Sequence, residues 1–240
     1  MLFQFFLAVI SLISGIIASI AGLGIGSLVT PLLSLKIGIG LAVAAVSIMH
    51  FFGTFLRLFF WKEYINKKVL LTFGITSATG GLLGALLHNV LFSNVLTIVF
   101  GYLLLLTGIM GFTNLADRLR FKGPVAWFVG AISGFFGGLV GNQGGVRSAA
   151  LFGFELGQKE FVATATGIAI MVDIVRMPVY IATQGAELFS IWQLILVGTI
   201  FVLIGTFLGG WFLNKIPEKL FKKIVCVIIF FIGLFVLIHG

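Results

Sequence analysis

Apolar residues run along this 240-residue chain in long blocks rather than in alternation with polar ones. The blocks fall at 3–20, 27–37, 40–61, 68–88 and 93–113, then at 124–140, 146–157, 160–182, 190–212 and 219–239. Most approach the ~20 residues that a helix needs to cross a hydrocarbon core of ~30 Å. Barrel strands would alternate apolar and polar positions, and these blocks do not. The pattern predicts an all-α polytopic membrane protein. Blocks 27–37 and 146–157 are too short to span, since a helix of either length reaches only about 18 Å. Each follows a glycine-rich turn, "GLGIGS" or "GNQGGV", so both turns are expected inside the membrane, followed by short or re-entrant segments. Non-helical backbone at that depth is tolerated only where it is buried in protein or lines a wet cavity.

Five blocks followed by five invite a search for internal duplication. An offset of 119 places Ser14-Gly15 on Ser133-Gly134, Gly22 on Gly141, Gly26 on Gly145, Gly38 on Gly157, Val43-Ala44 on Val162-Ala163 and Arg57 on Arg176. After six more residues in the second half, Gly84, Asn89 and Gly108 fall on Gly209, Asn214 and Gly233. The chain is therefore read as two membrane repeats, 1–119 and 120–240, forming one integral domain.

Charge then orients the repeats. Ten of the 15 Lys and Arg residues lie in three loops, 62–68, 114–122 and 214–223, while loops 88–93 and 183–189 have none. This is the positive-inside pattern of a multi-pass protein in the inner or plasma membrane, so the three basic loops are expected in the cytoplasm and both termini outside. A net charge of +8 distributed in this way does not form a nucleic-acid groove. Loop 62–68 and its counterpart near 183–189 fall on opposite sides, which makes the repeats inverted. Inverted repeats are typical of secondary transporters that hold substrate near the midplane. The N-terminal "MLFQFFLAVISLISG" has no basic stretch before its apolar run and reads as the first membrane helix, not a cleaved leader.

Composition adds mainly exclusions. The chain is 60% hydrophobic and 9% charged, with one cysteine and three scattered histidines. These leave no internal disulfide, no metal-ligand spacing and no implied cofactor. Neither turn follows a strand or carries a Gly-Lys-Ser/Thr, so nucleotide motifs are absent. A nucleophile paired with a base is also missing, which leaves an intramembrane enzyme or assembly factor without its chemistry.

The candidate chemistry sits at the turns. Gly22–Gly26 and Gly141–Gly145 are GxxxG spacings, so close helix packing is one reading. On the other, Gly22, Gly24, Gly26, Gly144 and Gly145 expose backbone N–H groups at helix starts, where an anion binds. Asn142 and Gln143 add amide donors, and Arg147 adds a full charge. Arg57 and Arg176 either join that site or snorkel to an interface, since each lies toward the end of its block. Asp173, three residues before Arg176, is a helix-face ion pair or the first candidate for a coupling proton, with His50 the second.

Two stretches carry a family resemblance. "SGIIASIAGLGIGSLVTPLL", with Gly22, Gly24, Gly26 and Pro31, resembles the signature of the TauE/SafE sulfite-exporter family, and "SGFFGGLVGNQGGVRSAAL" resembles its second copy. The resemblance implies secondary transport of small, often sulfur-containing anions such as sulfite or sulfonates. This chain departs from the family pattern at Gln143 (usually glycine), Ala150 (usually proline) and Arg147 (usually apolar). A small anionic substrate and the lipid bilayer are the expected partners, with a homodimer left open. An anion channel using the same turns as a filter is the alternative.

The topology is testable by labelling. Single cysteines at Asn66, Leu119 and Glu218, in a background without Cys226, should resist a membrane-impermeant maleimide in intact cells. Ready labelling at position 119 would invert the expected orientation.

Overall fold

The computed structural model describes residues 1–22, 24–113, 123–142, 144–152, 154, 156–212 and 218–239. Among these the chain is helical, with no strand. The helices are α1 (Leu2–Ala21), α2 (Ile25–Ile37), α3 (Ile39–Trp61), α4 (Lys67–His88) and α5 (Ser93–Phe112). They continue as α6 (Pro124–Val140), α7 (Gly144–Phe152), α8 (Gln158–Ser190), α9 (Trp192–Phe212) and α10 (Glu218–His239). Six of the described helices are long and apolar enough to cross a membrane: α1, α3, α4, α5, α8 and α9.

Local chemistry accounts for most boundaries. Asn66 caps α4 by accepting the Val69 N–H at 3.1 Å. Pro124 opens α6, where its missing N–H costs nothing. α1 and α6 stop at Gly22 and Gly141, which take left-handed φ values of 72° and 75°. The expected short segments are α2, with 13 residues, and α7, with nine. The turns before them are tighter than expected, because Gly26, Gly144 and Gly145 already belong to the first helical turns.

The expected external loop at 183–189 is instead helical. α8 runs 33 residues to Ser190 and departs from helical geometry only at Gln184 (φ −129°, ψ 21°). Ala186, Glu187 and Leu188 are good helix formers. The polar side chains of Thr183 and Gln184 meet Asn89 Oδ1 at 3.0 and 3.1 Å. A polar helix end anchored on a neighbour thus looked like a loop. The basic segment 114–122 lies outside the described residues, as do residues 214–217.

The bundle is inside-out relative to a water-soluble protein. Phe5, Leu71, Tyr102, Phe207 and Phe231 are exposed, whereas Ser14, Ser47, Thr166 and Asp173 are buried. Apolar groups outside and polar groups within suit a hydrocarbon solvent. At the centre, α3 lies against α8. α4 packs on α6, α1 on α9, and α5 on α10.

Glycines bring two of these pairs together backbone to backbone. On α4/α6, side chains at Gly80, Gly84 and Gly134 would strike the carbonyls of Ala131, Phe135 and Ser77. On α1/α9, side chains at Gly205, Gly209 and Gly15 would strike those of Leu12, Ile16 and Val202. With hydrocarbon on all sides, such close approach supplies the packing attraction that burial supplies in water. Gly84→Ala should therefore lower stability in detergent by about 1–3 kcal/mol, as overpacking does. Gly210→Ala, which meets nothing within 4 Å, should be neutral or mildly stabilising. Equal thermal unfolding midpoints for the two variants would contradict the close-packed seam.

Candidate functional site

Helices α1 and α6 both end in the protein interior, where the capping glycines Gly22 and Gly141 donate their N–H groups to the Ala18 and Gly137 carbonyls at 3.0 and 3.1 Å. An arginine adds a second donor to each of these carbonyls. Arg57 Nη1 bonds the Ala18 carbonyl, and Arg176 Nη1 bonds that of Gly137 at 2.5 Å. The two bonds span the same 39 residues of sequence. Each also places a cation at the negative end of a helix dipole. Both arginines are buried, at 2% and 1% exposure, so neither snorkels to an interface. Arg57 reaches α8 as well, through Nε to Thr166 Oγ1 at 2.7 Å.

Asp173 is fully buried between α3 and α8. Its Oδ1 accepts from Arg176 Nε at 2.9 Å and lies 2.8 Å from Arg176 Nη2. Its Oδ2 lies 2.7 Å from His50 Nδ1 and accepts from Thr54 Oγ1 at 3.3 Å. The helix-face pair expected between Asp173 and Arg176 is present, and His50 joins it from 123 residues away.

The two glycine turns meet. A side chain at Gly26 would strike the Gly141 carbonyl, so only glycine allows this approach. Ser27 Oγ donates to Asn142 Oδ1 at 3.2 Å, and Arg147 Nη2 donates to the Gly22 carbonyl at 3.2 Å. The rest of Arg147 is not satisfied. Although 1% exposed, its Nε and Nη1 have no hydrogen-bond partner among the described residues. The same is true of Asn142 Nδ2 and the Ser148 hydroxyl. Leaving buried donors unmet costs about 1–3 kcal/mol each, more for a charged group. Gly144 and Gly145, as the first residues of α7, add N–H groups that have no acceptor within the helix.

Gly22, Gly26, Gly141 and Asn142 thus come together with Arg147, whereas Gly24 faces Ile17 and Ser14 of α1. Arg57 and Arg176 instead grip the helix ends that form the turns. Gln143 and Glu155 lie outside the described residues. Asp173 is held by Arg176 and His50.

Sequence reasoning missed several supports. Ser27, Thr54 and Thr166 looked like ordinary membrane-helix hydroxyls, yet they bond Asn142, Asp173 and Arg57. The sequence held one signal, since Thr54 falls on Asp173 at the 119-residue offset. His88 and Tyr180 bond the Leu139 and Gly138 carbonyls at the end of α6, with no sequence signal at all.

Converging donors of net positive charge can hold an anion, and no metal-binding cluster occurs among the described residues. No curated protein and no solved structure matches the chain. A family model described as sulfite exporter TauE/SafE matches residues 7–236, nearly the entire length. With this match, and with six long apolar helices among the described residues, the chain belongs to the TauE/SafE sulfite exporter family of membrane proteins.

Proposed function

We propose that the protein is a secondary transporter of small anions, sulfur-containing ones such as sulfite or a sulfonate, and not an enzyme. The anion sits between the two glycine turns, held by Arg147, Asn142 and the N–H groups of Gly144 and Gly145. The observation that carries this reading is the buried Arg147 guanidinium, with two nitrogens unpartnered among the described residues. A full charge at that depth needs a reason, and a transported anion supplies one.

Alternating access follows if residues 1–119 and 120–240 are inverted repeats that rock against each other. Equivalent contacts support this. Arg57–Ala18 and Arg176–Gly137 match at the 119-residue offset. The contacts of Gly15, Gly205 and Gly209 likewise match those of Gly134, Gly80 and Gly84. Asn142 and Arg147 break the symmetry, since Leu23 and Leu28 stand at their counterpart positions. The site therefore draws its charge from the second half alone.

In proteoliposomes, Arg147→Ala should weaken sulfite binding roughly 30- to 150-fold, the loss of ~2–3 kcal/mol expected for a charge-assisted hydrogen bond. Arg147→Lys keeps the charge but loses the planar fork, so it should weaken sulfite more than chloride. Unchanged sulfite affinity in Arg147→Ala would place the site elsewhere and leave the glycines as packing devices.

A further inference from the structure

The buried cluster beside the anion site contains one group whose bonding leaves it able to exchange a proton. Asp173 is fully enclosed, and both its oxygens are engaged. Arg176 holds Oδ1 through two nitrogens, while Thr54 and His50 hold Oδ2. His50 is different. Its Nδ1 faces the carboxylate at 2.7 Å, and its side chain keeps 11% of its surface exposed. A ring nitrogen that close to an ionised carboxylate carries the hydrogen and donates it. The tautomer assigned by this bond leaves Nε2 as the basic nitrogen.

The charges around His50 are few. α8 presents Asp173 and Arg176, and Arg147 of α7 is near enough for its charge to act on the ring. Arg57 lies two turns along α3 itself. α1 and α9 contain no titratable residue, α2 has only Lys36 at its far end, and α5 has only the exposed Tyr102. A second proton on the imidazole therefore adds a full positive charge to a neighbourhood already occupied by arginines. A nearby anion compensates for that charge.

We propose that His50 carries the coupling proton, with Asp173 as its fixed counter-ion, so that proton and anion bind cooperatively and cross together. This rests on the anion-transport reading above. The sequence alone favours Asp173 as carrier, and the geometry moves the exchange to the imidazole. In the step itself, Nε2 takes a proton from water on one side and returns it to water on the other. The Nδ1 bond to Asp173 persists throughout, and no other bond forms or breaks. Because coupling is reciprocal, whatever the proton does for anion affinity, the anion does for proton affinity.

The test uses the full chain in lipid nanodiscs, with methanesulfonate and sulfite as probes. Methanesulfonate keeps its single charge throughout, so any pH dependence belongs to the protein. Its Kd should rise by up to about tenfold per pH unit over the range in which His50 loses its proton. In His50→Gln the Kd should stay flat across that range. A slope that persists in His50→Gln would return the proton to Asp173 and overturn the assignment, as would a flat profile in the wild type. If His50→Gln fails to fold, nitrogen-15 histidine spectra of the wild type decide. The His50 Nε2 resonance should pass through protonation in that range, and its midpoint should rise when whichever anion binds is added. A resonance that stays fixed overturns the proposal. Failure of both anions to bind the wild type at any pH would instead sink the anion site itself, and this assignment with it.

Discussion

Two helices end within the low-dielectric interior, and the rest of the site follows from how their termini are satisfied. A helix that stops there exposes carbonyls at its end, and the next helix exposes N–H groups at its start. Arg57 and Arg176 meet the carbonyls of α1 and α6. Gly144 and Gly145 open α7 beside the Asn142 amide and the Arg147 guanidinium, which keep nitrogens without a partner among the described residues. In the function proposed above an anion completes the bonding at the start of α7, where the helix dipole and Arg147 favour a negative charge.

The same demand explains why charges are retained in so apolar a chain. Arg176 both bonds the Gly137 carbonyl near the end of α6 and fixes Asp173, which in turn orients His50. Removing one member would strand another as an uncompensated buried charge, which is far costlier than losing a surface pair. The glycines serve the arrangement from outside. They bring α4 onto α6 and α1 onto α9 closely enough that the turns meet at Gly26 and Gly141.

Much of this was legible from spacing. Block lengths located the helices, and the two short blocks located the turns, because hydrocarbon thickness leaves little freedom. The match of Arg57 to Arg176 flagged a common role. What that role was stayed hidden, since it depends on carbonyls 39 residues earlier that any residue type could supply. His50 and Asp173 are 123 residues apart, and Ser27 and Asn142 are 115, so no local pattern links them. Segment 183–189 was misread because its polarity comes from side chains that bond Asn89, not from a break in the helix.

The central claim is that an oxyanion completes the bonding of Arg147 and Asn142 between the turns. Selenite, the heavier analogue of sulfite, reports this directly through the anomalous scattering of selenium in crystals of the anion-bound protein. One strong selenium peak is expected within hydrogen-bonding distance of both Arg147 Nη1 and Asn142 Nδ2. A peak elsewhere, or an unoccupied turn with Arg147 paired to Glu155, would contradict it.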